Sequence, residues 1–173
     1  MRYTAKRTTG VIIKMRIIGI DPGTGILGFG VIDVHGTKIK MVEAGVIRTP
    51  PHTPHAERLE EIFDGLTEII ASTKPDSFSI EKLFFTKNVT TGMTVAEARG
   101  VAILVAQKAG LPIAEYTPPQ IKQTLTGHGN ADKKQVQEMV RIQLGLKEVP
   151  KPDDCADALA AAITHLFMTR LDP

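Results

Sequence analysis

Short apolar runs alternate with polar breaks along the chain, and the spacing within each run separates strand from helix. Residues 16–21 (RIIGID), 27–34 (LGFGVIDV) and 39–48 (IKMVEAGVIR) read as strands, with a turn at His35-Gly36. Three strands this close in sequence predict an antiparallel meander. TPPHTP at 49–54 breaks the pattern, and AERLEEIFDGLTEIIAS then places Leu59, Ile62, Phe63, Leu66, Ile69 and Ile70 at helical spacing. After a turn at Lys74-Pro75-Asp76, SFSIEKLFF (77–85) is a predicted strand, 88–109 a helix rich in small residues, and LPIAEY (111–116) a fifth strand. Helices over 118–125 and 132–144 flank TGHGNADKK, and a last helix covers 153–170. This order predicts an α/β fold built on a five-stranded mixed sheet. Three antiparallel strands come first, then two parallel strands reached by right-handed crossovers, with helices flanking the sheet.

Composition narrows the class. With 173 residues, 42% hydrophobic and 23% charged, the chain is expected to form one domain with a substantial core. Its longest apolar runs, VAILVA (101–106) and ALAAAI (158–163), fall far short of a membrane span, so no membrane partner is expected. A single cysteine, Cys155, excludes an internal disulfide, and one Cys with five scattered His draws no zinc site. Both features suit a cytoplasmic protein. The charge is uneven. Residues 1–14 carry Arg2, Lys6, Arg7 and Lys14 and no acid; setting those four aside leaves 17 Lys and Arg against 19 Asp and Glu. Nucleic-acid binding would therefore need a local basic patch. Met15 is expected to open the folded domain, 15–173, with 1–14 as a flexible basic extension.

Acids stand where they carry either local structure or chemistry. Asp21 ends the first strand before Pro22-Gly23, where turn formation alone would favour it. Glu81 follows an apolar strand and reads either as a water-facing edge residue or as an acid that needs a partner. Asp154 and Asp157 are three apart and share a helix face, although Asp153 is a natural N-cap and acids suit a first turn. Leu159, Ala162, Ile163 and Leu166 form the core stripe of that helix, while Ala158, Ala160 and Ala161 let another backbone approach. Taken together, four acids from three segments suggest a divalent-metal site. Oxygen ligands suit Mg²⁺, with Mn²⁺ as a substitute, and two such ions can drive phosphodiester hydrolysis. Basic and aromatic residues stand near these acids in sequence. Lys87, Lys122, Lys133 and Lys134 are candidates for gripping DNA phosphates, against the plain reading of a solvated face. Phe84 and Phe85 suit either base stacking or core packing, and strand alternation sends one of them to the core.

The blocks GIDPGTGILGFGVI, SIEKLFFTKN, EARGVAILVA, IKQTLTGHGNADKKQVQ and DDCADALAAAITH together resemble the RuvC family of Holliday-junction endodeoxyribonucleases. The likeness runs from Met15 to Thr169 in the right order; residues 1–14 have no counterpart in it. It implies a ribonuclease-H-like fold, a homodimer, and paired symmetric Mg²⁺-dependent nicks in a four-way DNA junction. It also implies a branch-migration motor as partner. The family's catalytic, metal-holding acids fall on Asp21, Glu81, Asp154 and Asp157, the D-x-x-D-A-L-A spacing selecting Asp154 over Asp153. Its junction-wedging aromatic falls on Phe84, and its phosphate-gripping lysines on Lys122 and Lys133. The small-residue helix 88–109 is expected to bury one face in the core and another in the dimer interface. Two further readings remain: a related nuclease on other branched or RNA-containing substrates, with the same four acids and a different DNA-facing loop, and a junction-binding protein without catalysis, against which the complete acid set stands. The GIDxGT likeness to actin-like ATPases and sugar kinases lacks a second phosphate loop and a second subdomain.

Overall fold

The computed structural model describes residues 14–83 and 89–171; Phe84, Phe85 and Lys87 lie outside the described residues. Strands β1 (Lys14–Asp21), β2 (Ile26–His35) and β3 (Lys38–Arg48) form the expected antiparallel meander. Helix α1 (His55–Thr73) leads into β4 (Ser77–Glu81), and α2 (Val89–Lys108) into β5 (Ile113–Tyr116). Three helices follow: α3 (Pro118–Thr126), α4 (Lys133–Leu144) and α5 (Asp153–Leu171). The sheet order is β3-β2-β1-β4-β5, with β1, β4 and β5 parallel, which is the mixed sheet the sequence predicts.

The fourth strand is shorter than its apolar pattern suggests, ending at Glu81 rather than at residue 85. Beyond Glu81, the Lys82 N–H makes one more ladder bond, to the Tyr116 carbonyl 2.8 Å away, among the described residues. Beyond Tyr116 the neighbouring chain turns through Thr117, which caps α3 ahead of Pro118, so β5 offers β4 nothing further to pair with. The fifth strand likewise starts at Ile113, because the Leu111 N–H is held by the Ala106 carbonyl at the end of α2.

Alternation along the strands builds two cores. Ile18, Ile20, Phe78 and Ile80 pack with α1 and α2, while Ile17, Ile32 and Val34 pack with α3, α4 and α5. Ile62, Leu66 and Ile70 form the buried stripe of α1, as their spacing predicts. In α2, Ala98, Ala102, Val105 and Ala106 are buried, and Met93 and Leu104 are exposed on other faces.

Helix α5 is the centre of the molecule, with Ala158 to Ile163 almost wholly buried. It rests directly on the sheet backbone. A Cβ on Gly19 would lie 2.1 Å from the Ala158 carbonyl oxygen, and one on Gly28 would lie 2.2 Å from that of Asp154. These two glycines are therefore spacers that fix the height of α5 above β1 and β2. Capping boxes fix the starts of the neighbouring helices: Thr117 with Gln120 for α3, and Asp132 with Gln135 for α4.

Candidate active site

Strands β1 and β4 lie side by side in parallel, with Ile20 opposite Ile80, so Asp21 and Glu81 leave the sheet at the same carboxyl-terminal edge. Their faces follow from alternation. Gly19, two residues before Asp21, touches α5, and Ser79, two before Glu81, donates its Oγ–H to the Ala161 carbonyl at 2.8 Å. Both acids consequently face α5. That helix supplies Asp154 above Gly28, which is paired with Asp21, and Asp157 one turn further on.

The carboxylates act strongly on one another. Burial, then the charges of Asp157, Glu81 and Asp154, push the Asp21 carboxyl up to about 8, with Lys133 pulling the other way. Burial and Asp157 raise Glu81 to about 6, opposed by Lys122 and Lys133. Asp157 is raised as well, chiefly by burial, although it accepts a hydrogen bond from Lys133. The Lys133 ammonium lies 2.9 Å from Asp157 Oδ2 and 3.4 Å from Asp153 Oδ2, and the Asp157 bond raises its own pKa. As the first residue of α4, Lys133 is placed by the Asp132 cap just before it. Asp153, the first residue of α5, thus has a lysine partner that its reading as a cap did not anticipate.

Glu81, Lys122, Lys133 and Asp157 line a cleft of about 200 Å³, with Ile121 and Val136 as apolar wall. Among the described residues, no three His, Cys, Asp or Glu side chains are already drawn into a metal-holding cage. The acids are adjacent but unclosed, and Lys133 holds one of them. Their chemistry nonetheless fits a hard divalent cation. All donors are carboxylate oxygens, and burial together with crowding by the other acids raises the Asp21 carboxyl to about 8, a rise that a bound cation would oppose.

Four expected acids and two expected lysines, Lys122 and Lys133, therefore come together. Lys134 does not share the cleft: it lines a separate hollow of about 840 Å³ between α3 and α4, with His128, Asp132 and Glu138. Phe84 and Lys87 fall outside the described residues.

Two supports behind the acids escaped sequence reasoning. The loop after Asp21 is tied down by Thr49, whose N–H donates to the Gly25 carbonyl at 3.1 Å and whose Oγ–H donates to the Thr24 carbonyl at 2.6 Å. Arg58 in turn donates from Nε to Thr49 Oγ1 at 2.8 Å. Behind Glu81, Arg99 donates from Nε to the Glu81 carbonyl at 3.1 Å. Thr49 and Arg58 carried no sequence signal, and Arg99 stood inside a matching block without any role suggested by its spacing.

Comparison with known proteins agrees with this geometry. The family model for crossover junction endodeoxyribonuclease RuvC matches residues 17–165. The chain is 56% identical to crossover junction endodeoxyribonuclease RuvC of Brevibacillus brevis over 87% of its own length and 91% of the relative's. It is 54% identical to the Heliobacterium modesticaldum protein of the same name, over 86% of this chain and 92% of that one. Among solved structures, Thermus thermophilus RuvC in complex with Holliday junction substrate superimposes with a TM-score of 0.86 at 40% identity, covering 91% of this chain and 96% of that chain. The yeast mitochondrial Holliday junction resolvase Ydc2 shares the fold alone, with a TM-score of 0.65 at 14% identity over 94% of this chain and 83% of that one. An acid cluster at one sheet edge, a family match spanning nearly the whole domain and relatives above half identity lead to one statement: this chain belongs to the crossover junction endodeoxyribonuclease RuvC family.

Proposed function

We propose that this chain is a divalent-metal-dependent endonuclease that resolves four-way DNA junctions by paired, symmetric nicks, acting as a homodimer in recombination and repair. The observation that carries the reading is the cluster of Asp21, Glu81, Asp154 and Asp157 at one sheet edge, with Lys122 and Lys133 on its rim. Family membership supports the endonuclease activity, and a similar chain has been seen with a Holliday junction substrate. Asp21, Glu81, Asp154 and Asp157 would hold Mg²⁺ or Mn²⁺, two ions during the reaction. When bound, the ions supply a nucleophilic water and charge stabilisation for the leaving oxygen.

The chain's own groups prepare that chemistry. Gly28 and the Ser79–Ala161 bond fix α5 so that Asp154 and Asp157 meet the sheet acids. Lys133 balances Asp157 and Asp153 before substrate arrives, and its exposed ammonium can then serve a phosphate. Lys122 shares the cleft with Glu81 and opposes the rise in its pKa, which supports a role for it beside the scissile phosphate. Lys87, Lys134 and Phe84 extend the DNA path in this reading, Phe84 as the wedge at the crossover. A twofold dimer would present two such sites with the symmetry of the junction. The exposed Met93 and Leu104 on α2 supply apolar area for that contact. A branch-migration motor is the partner family likeness suggests. A cytoplasmic location agrees with the buried free Cys155, and no described helix is long and apolar enough to cross a membrane.

The test compares a synthetic four-way junction with a linear duplex of the same sequence, with and without Mg²⁺, beside Asp21→Asn. Paired nicks on the junction alone, dependent on metal and lost in the variant, are expected. Equal cutting of the duplex, or cutting in chelator, would contradict the proposal.

A further inference from the structure

Arg99 sits on the opposite face of the sheet from the carboxylates. Helix α2 packs with Ile80 and Ile113 on the α1 side, whereas Glu81 faces α5. The Arg99 side chain is only 18% exposed, and burial lowers its pKa, so its charge is held there at a cost in solvation. It is kept by two partners. One is the Glu115 carboxylate on β5, with which it forms an ion pair. The other is the main-chain carbonyl of Glu81, which accepts from Nε at 3.1 Å.

Glu81 is the last residue of β4, and the Lys82 N–H continues the ladder to β5 beyond it. The Arg99 bond is therefore a second fastening at the point where the chain leaves the sheet. Its contact is with the Glu81 carbonyl on the α2 side of the sheet, while the Glu81 side chain faces α5 on the other. What Arg99 fixes is the main chain that aims the Glu81 side chain.

We infer that Arg99 is a positioning residue for Glu81: it pins the Glu81 carbonyl from behind the sheet and so couples the setting of α2 to the carboxylate cluster. This rests on the reading of Glu81 as a metal-holding acid. A planar guanidinium serves both partners at once because its donors are fixed in a fork; a lysine ammonium on a different stem does not reproduce that geometry.

The experiment uses the full chain and three variants: Arg99→Gln, Arg99→Lys and Glu115→Gln. Mn²⁺ binding to the protein alone is followed by calorimetry, junction binding in chelator by mobility shift, and thermal midpoints by melting. Arg99→Gln should weaken Mn²⁺ binding about 10-fold or more, the usual scale for losing a support behind a ligand. Junction binding in chelator should stay within about twofold, on the scale of interactions not touched by the change. Arg99→Lys should recover much of the thermal midpoint through the Glu115 pair but little of the Mn²⁺ affinity. Glu115→Gln, which keeps the Nε bond, should lower the midpoint and leave Mn²⁺ binding close to the parent's.

Parent-like Mn²⁺ affinity in either Arg99 variant would overturn the inference. So would Glu115→Gln losing Mn²⁺ affinity in step with its midpoint, since that would make Arg99 a structural ion pair only. If Arg99→Gln does not fold, the Arg99→Lys and Glu115→Gln pair still decides. Failure of the underlying reading looks different: the parent protein itself would then bind no Mn²⁺, or Glu81→Gln would bind it as well as the parent.

Discussion

The two ends of β1 place charged groups five residues apart on one strand and treat them in opposite ways. At the amino end, Arg16 donates from Nε and Nη2 to the two oxygens of Asp33 at 2.7 and 2.9 Å, and from Nη1 to the Thr73 carbonyl at 2.5 Å. Its backbone N–H donates to Asp76 Oδ2 at 2.7 Å, and its carbonyl accepts from the Asp76 N–H at the same distance. The hydrogen-bonded guanidinium holds Asp33 below the usual carboxylate range. At the carboxyl end, burial and three like charges force Asp21 up to about 8. One end is complete within the chain. The other is left short of positive charge, and the proposed cation and phosphate site rests on that shortage.

Substitutions that break this contrast should have graded effects. Removing an acid has the largest. Asp21→Asn and Asp157→Asn should lower junction cleavage on the order of 10³-fold or more, the scale of several kcal/mol of lost charge stabilisation. Junction binding in chelator should persist; a steady-state nicking assay beside a mobility shift reads both. Next comes Gly28→Ala, whose new Cβ would meet the Asp154 carbonyl at 2.2 Å and lift the start of α5. Cleavage should fall about 100-fold, as for misplacement of roughly an ångström, with about 1–3 kcal/mol of stability lost to overpacking.

Stability against pH should separate the ends by sign. Asp21 is raised in the folded protein, so in chelator its contribution is favourable below its unfolded pKa and is lost as pH climbs towards 8. Asp33 is lowered, so its contribution is present above the unfolded value and is lost only in acid. Asp21→Asn should accordingly be the more stable protein at pH 8 in chelator, on the order of 2–4 kcal/mol, and the difference should vanish towards pH 4. Urea melts at both pH values measure it. Arg16→Met should do the reverse, costing about 2 kcal/mol near neutrality with cleavage per folded molecule preserved. The smallest effect belongs to Lys122→Ala. Junction affinity should fall a few-fold at low salt, and the slope of log affinity against log salt should drop by about one.

How far the sequence foretold these regions also differs between them. The meander, the α1 stripe and α5 were legible because apolar spacing repeats there. Asp21, Glu81, Asp154 and Asp157 could be gathered as four acids from three segments, although Glu81 was read inside a strand running to residue 85. The sheet's parallel half was legible through its crossovers, but the length of β4 was not. Its end is set by where Tyr116 turns into α3, a partner 35 residues away in the chain. Their residue types alone did not separate Lys133 from Lys134, although the family likeness picked out Lys133; one helical step sends them to different clefts. Arg99 and Thr49 act on main-chain carbonyls brought near by folding, and a carbonyl leaves no trace in residue type. Gly19 and Gly28 lie inside runs read as strands, and their role as spacers shows only once α5 is seen resting on them.

The most direct test of the central claim is a thermal melt at pH 8 over increasing Mg²⁺ or Mn²⁺, for the parent chain and Asp21→Asn together. If the carboxyl-terminal edge of β1 is a cation site, metal at about 100 times its dissociation constant should stabilise the parent by about 2.7 kcal/mol, a shift of several degrees. The variant, already relieved of the buried charge, should start higher in chelator and move little. Equal shifts in both proteins, or none in the parent, would contradict the account and leave the four acids without a shared cation.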